Sequence, residues 1–183
     1  MSSKINIFYL IKGHINTLRL ADTGKISICD IITFFVLPAI ISYSIVIIGF
    51  RVNKDLISIL VNFSAIITAL LLSVLVLVYE QGNKLKDKTP EKRSPLDEVK
   101  EKLLDAIYYN ICYSILSGAL LIALCFIISL TYSKFDFFLY ESVFGFLVFI
   151  KKYIVIPLII FLFIHLMLNI IMIVKRMHVL LTK

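Results

Sequence analysis

His165 and Asn169 stand one helical turn apart in Tyr153–Val174, a run of 22 residues that is otherwise almost wholly apolar. An imidazole at such a depth titrates near neutral pH, lines a pore, or bonds to an amide on a neighbouring helix. Asn62 and Asn110 lie in two further apolar runs, and Ser114 follows Asn110 by one turn. Asn62, Asn110, Ser114, His165 and Asn169 form the candidate polar cluster, either as a lumen or as interhelical hydrogen bonds. Catalysis asks for more. The chain has no H-E-x-x-H, no G-x-S-x-G, no second histidine and no carboxylate inside its apolar runs. Proton-coupled export lacks its carboxylate, and intramembrane proteolysis lacks its acids and nucleophile. The expectation is a protein that is not an enzyme and needs no cofactor or metal. Cys29, Cys112 and Cys125 fit neither a disulfide framework nor a zinc spacing.

The elements that must position these residues are four runs without a single Asp, Glu, Lys or Arg: 31–50, 56–79, 107–132 and 153–174. About 20 helical residues cross a hydrocarbon layer of roughly 30 Å. Each run is at least that long, and 60% of the chain is hydrophobic with a mean hydropathy of +0.98. The runs are continuous rather than alternating, which favours helices over barrel strands. The predicted fold is an all-α integral membrane protein, a four-helix transmembrane domain over 31–174. An N-terminal interfacial segment (1–29), a cytoplasmic loop (80–106), a cytoplasmic extension of the third helix and a short tail (175–183) complete it.

Charge sets the orientation, because Lys and Arg beside a span resist translocation. Fourteen of them fall before the first run, between the second and third, and after the fourth, against five on the other side. Both termini and the central loop are expected in the cytoplasm of a bacterial cell, with the chain in the inner membrane as a multi-pass protein. The net charge of +7 suits anionic lipid head groups. The central loop balances seven cations with seven carboxylates from Glu80 to Asp105, so direct nucleic-acid binding is not expected. No cleavable signal pattern precedes Ile31, and the first run serves as its own insertion signal.

Ile5, Phe8, Ile11, Ile15 and Leu18 recur at three- and four-residue spacing, which predicts an amphipathic helix on the membrane surface, either an anchor or a sensor of lipid or partner. Ala21–Gly24 reads as a turn. Pro38 predicts a kink in the first run, static or a hinge. The loop Arg51–Asp55 is so short that the first two spans should be antiparallel neighbours. Ala65-x-x-x-Ala69 and Ser114-x-x-x-Gly118 offer the small residues that let membrane helices approach, within the bundle or between copies of a homo-oligomer. Glu80–Arg93 reads as a solvated loop, and Ser94-Pro95-Leu96-Asp97 as a helix start with cap, first-turn proline and acid. From Pro95 the helix runs unbroken into the third span, so its first turns must protrude. Leu96, Val99 and Leu103 form an apolar face there, to be buried by the N-terminal segment or by a cytoplasmic partner. Ser133–Lys152 carries seven Phe and Tyr residues from Phe135 to Phe149, which predicts a helix lying at the interface, or a re-entrant hairpin.

Two stretches resemble a known group. Gly13-His14-Ile15-Asn16-Thr17-Leu18-Arg19, then Asp30-Ile31-Ile32-Thr33-Phe34-Phe35-Val36-Leu37-Pro38, resemble the opening of small bacterial four-span proteins that accompany anti-phage systems. The ending His165–Leu181, with Lys175-Arg176-Met177-His178, fits the same group, and the layout is similar to the membrane subunit of the Kiwa defence system. The resemblance implies a membrane sensor or platform that recruits a cytoplasmic, DNA-binding partner. A pore-forming effector and a purely structural helper are the other readings.

Overall fold

The computed structural model describes residues 7–18, 27–49, 52–88, 94–132 and 149–182. Among them every regular element is helical: α1 (Ile7–Thr17), α2 (Ile28–Ile47), α3 (Lys54–Lys86), α4 (Pro95–Tyr132) and α5 (Lys151–Thr182). Four of these, α2 to α5, are long and apolar enough to cross a membrane. The predicted turn at Ala21–Gly24 and most of the aromatic stretch 133–152 lie outside the described residues.

Two prolines shape the bundle. Pro38 in α2 and Pro157 in α5 follow stretches of wider π-helical winding, Ile32–Val36 and Lys151–Val155. A proline has no N–H to give the carbonyl four residues back, and local rewinding is one way a helix absorbs the loss. At Pro38 the winding changes from π to α, and α2 continues beyond it to Ile47.

Helix ends follow local chemistry. Asn53 caps α3, its side chain accepting from the Leu56 N–H at 2.8 Å. Gly49, at φ +84°, closes α2 in the left-handed region that glycine tolerates. At the start of α4 the Asp97 carboxylate accepts from the Ser94 N–H at 3.0 Å and pairs with Lys88 at 2.9 Å, the acidic half of the expected capping box. α3 does not stop at Tyr79. It runs two turns into the expected loop, because Glu80–Lys86 is helix-compatible and Lys86 reaches Asp105 on α4 at 3.8 Å.

α4 is the central helix: α3, α5 and α1 all pack on it, and α2 packs on α5. The short connection does not make α2 and α3 a packed pair, contrary to expectation. Stronger contacts draw them apart. Gly118 of α4 lets α3 approach so closely that an added methyl would strike Thr68 and crowd Ser64, and the Ser64 hydroxyl donates to the Gly118 carbonyl at 3.0 Å. α2 is held to α5 by a contact at Phe34 described below.

Apolar packing forms two clusters. One joins Leu60, Leu121, Cys125, Ile128, Ile159 and Leu166. The other joins Leu71, Val78, Leu104, Ile107, Ile111 and Ile173 at the basic end of the bundle, where α2 and α4 begin and α3 and α5 finish. Much of the outer surface is apolar, Ile40, Ile47, Ile66, Leu70, Phe126 and Ile171 being exposed. A lipid-facing bundle leaves such a surface.

Candidate functional site

Buried Asn110, Ser114, His165 and Asn169 meet in one layer near the basic end, and the short helix α1 completes it with His14. α1 is only 11 residues long, too short to cross a bilayer. It is seated on α4 by its Leu10, Gly13, His14 and Thr17 face, while Phe8 (68% exposed) and Ile15 point away. The apolar stripe expected on the membrane surface is divided: Phe8 and Ile15 are exposed, Leu18 is buried, and the inward face carries His14 and Thr17 while Lys12 and Asn16 stay outside. Gly13 makes this possible. A side chain there would collide with the ring of Tyr109, and Tyr9 adds a hydroxyl contact to Tyr109 at 2.7 Å.

His14 is fully buried. Its Nδ1 lies 2.9 Å from Asn110 Oδ1, and its ring stacks on Tyr113 at 4.0 Å with planes 1° apart. The Thr17 hydroxyl lies within bonding distance of the same Asn110 oxygen (2.8 Å) and of the His14 carbonyl (2.7 Å); its one proton serves either. From α5, Arg176 donates to the Thr17 carbonyl at 2.7 Å. Burial lowers the His14 pKa to about 4; the Asn110 bond opposes this, while His165 and Arg176 add to it. The ring is therefore neutral at physiological pH, with Nδ1–H donating to Asn110.

His165 meets the same Tyr113 ring edge-on, its ring centre 5.5 Å from that of Tyr113 and 6.4 Å from that of His14. Its Nδ1 is 2.7 Å from the Phe34 carbonyl and its Nε2 is 3.0 Å from the Tyr113 hydroxyl. A carbonyl only accepts, so Nδ1 carries the proton and, in the neutral ring, Nε2 accepts from Tyr113. Asn169 donates to the His165 carbonyl at 2.9 Å, and Ser114 to the Asn110 carbonyl at 2.8 Å. His14 Nε2, Asn110 Nδ2, Asn169 Oδ1 and Arg176 Nη1 are buried without a bonding partner among the described residues.

Four of the five residues expected in the polar cluster, Asn110, Ser114, His165 and Asn169, are buried and gathered in this layer. Asn62 is not with them: it is exposed on the outward face of α3, and Ala65 and Ala69 share that face. The Ser114–Gly118 segment packs inward, with Gly118 against α3. Of the apolar face at the start of α4, Leu96 and Val99 are 45% and 59% exposed. Leu103 is half-buried, packed against the cluster of Val78 and Leu104. Sequence reasoning missed His14, Thr17, Tyr113 and Arg176 as members of the layer. The available signal was Gly13-His14 with Thr17 one turn on, a small and polar face within an otherwise amphipathic helix.

No group of three or more metal-binding side chains occurs among the described residues. Chemically, the layer can hold a helix against the bundle and tie three long helices together. No protein-family model matches this chain, nor does any curated protein or solved structure.

Proposed function

We propose that this chain is the membrane component of a bacterial anti-phage complex, a sensor or platform in the inner membrane that recruits a cytoplasmic protein. Both termini face the cytoplasm in this reading, and the partner, not this chain, contacts nucleic acid. One observation carries it: α4 begins with an apolar surface, Leu96 and Val99, that α1, α3 and α5 leave exposed, on the side where Lys and Arg are most numerous. The docked α1 gives such a platform a movable part, since a short helix held by a few polar contacts detaches at lower cost than a packed span. The defence setting comes from the resemblance of Gly13–Arg19 and Asp30–Pro38. The reading is tested by affinity purification from cells. Wild type should retain a cytoplasmic protein, and a Leu96→Asp/Val99→Asp variant should lose it while remaining in the membrane fraction. Retention by the variant at normal yield refutes this face as the interface.

The second reading is an oligomeric pore, and a specific observation favours it. Ser58, Asn62, Ala65 and Ala69 fall at heptad spacing on the exposed face of α3. An amide at that depth seeks a partner, and a second copy of the chain supplies one. Reconstituted vesicles distinguish the two readings: a pore leaks dye and loses that leak in Asn62→Leu, whereas a platform stays tight in both forms.

A further inference from the structure

A cleft opens at the basic end between the last turns of α3 and the first turns of α4, with a volume of about 280 Å³. Val78 and Leu104, each 3% exposed, form its apolar floor. Tyr79, Tyr108 and Tyr109 supply aromatic walls. Open space lies over Gly82, where a Cβ would meet nothing within 4 Å. Lys86 and Asp105 face each other across the mouth at 3.8 Å, with side chains 51% and 59% exposed. That separation is long for a charge-assisted hydrogen bond, and so exposed a pair gains little from its own attraction. Lys86 has three N–H donors and Asp105 two acceptor oxygens, so each can bind a guest in addition to the partners it already has.

We infer that this cleft holds the head group of a zwitterionic phospholipid, an inference that rests on the membrane reading above. The guest's chemistry follows from the charges. A phosphate and an ammonium joined by an ethylene bridge present the reverse of the Lys86–Asp105 dipole. The phosphate lies against Lys86 and the Asn83 amide, and the ammonium against Asp105 and the tyrosine faces, which attract cations. A head group with net negative charge meets the Asp105 carboxylate and is disfavoured. Depth agrees. Tyr79 closes one uncharged run and Ile107 opens the next, so the cleft lies at the level where tyrosines and head groups gather. Leu72 and Val76 continue the stripe of Tyr79, Asn83 and Lys86 along α3, and both are exposed, giving the acyl chains an apolar track.

The test is thermal unfolding of the purified, delipidated full chain in detergent, titrated separately with phosphatidylethanolamine and phosphatidylglycerol. Phosphatidylethanolamine should raise the unfolding temperature saturably, at a half-saturating concentration about tenfold below that of phosphatidylglycerol, the equivalent of roughly 1.4 kcal/mol. Asp105→Asn should erase the difference by admitting the anionic lipid, and Lys86→Gln should weaken both. Lipid-free unfolding temperatures of the variants control for folding. Equal response of wild type to both lipids, or an unchanged preference in Asp105→Asn, overturns the inference. Flotation of the chain with membranes on a density gradient reports separately on the membrane reading: a chain that floats but shows no preference refutes the cleft alone.

Discussion

His165 Nδ1 stands 2.7 Å from the carbonyl oxygen of Phe34, the carbonyl that Pro38, four residues on, has no N–H to satisfy. The two features therefore explain each other. A helix with proline in an apolar environment needs a donor from outside, and a buried histidine needs an acceptor. With its other nitrogen on Tyr113, 3.0 Å away, His165 ties α2, α4 and α5 together.

Replacing His165 with leucine should therefore destabilise the bundle at its α2 contact. The Phe34 carbonyl and the Tyr113 hydroxyl both lose a partner, at a cost of about 1–2 kcal/mol, near the upper range for hydrogen bonds between membrane helices. The measurement is the unfolding temperature in detergent. His165→Gln, which keeps a donor for Phe34, should recover part of the loss. An unfolding temperature unchanged in His165→Leu would mean that the contact contributes nothing.

Gly13→Leu should detach α1 without disturbing α2 to α5. The new side chain has to occupy the space of the Tyr109 ring, and overpacking of this kind costs roughly 1–3 kcal/mol. Hydrogen exchange over residues 7–17 should accelerate while α3 and α4 stay protected. Protection of α1 equal to wild type would show that it does not rely on the close approach.

Gly118→Leu acts at the opposite face of α4. Its side chain must displace Thr68 and Ser64, so α3 has to move outward and the Ser64 bond to the Gly118 carbonyl breaks. The loss of stability should again be about 1–3 kcal/mol, but exchange should now rise in α3 rather than α1. A variant whose α3 exchanges as slowly as wild type would show that the small-residue contact is dispensable.

The long helices were legible because hydrophobic length and cap chemistry are local. Four charge-free runs and Ser94-Pro95-Leu96-Asp97 sit in single stretches of chain, and the helices appear there. Pairing was not legible. A short connection between α2 and α3 says that their ends are close, yet side-chain fit at Gly118 and the carbonyl freed by Pro38 decide which helices pack. The polar layer was half legible. Asn110, Ser114, His165 and Asn169 announce themselves as polar residues in apolar runs. His14 and Thr17 do not, because in a segment containing Lys12, Asn16 and Arg19 a polar residue gives no sign of burial. Nor does periodicity reveal which face of a short amphipathic helix turns inward when both lipid and a polar groove compete for it.

Acidification should loosen α1, and the sign follows from the direction of the His14 shift. Its folded pKa is lowered from 6.5 to about 4, so between those values the detached helix binds a proton that the docked helix refuses. The stabilisation is complete above about pH 6.5 and is lost progressively as pH falls towards 4. Its full size is on the order of 3 kcal/mol, from about 1.4 kcal/mol per pKa unit. The surroundings agree with that sign. Asn110 and Tyr113 of α4 face the ring as neutral groups, whereas His165 and Arg176 of α5 oppose a second cation. A spin label on an Ile15→Cys variant lacking the native cysteines reads the docking directly. Its mobility should rise between pH 6.5 and 4, and in a His14→Gln background it should stay flat over the same interval. The same rise in both would place the acid-sensitive group elsewhere and remove His14 as the residue that holds α1 in place through its neutral form.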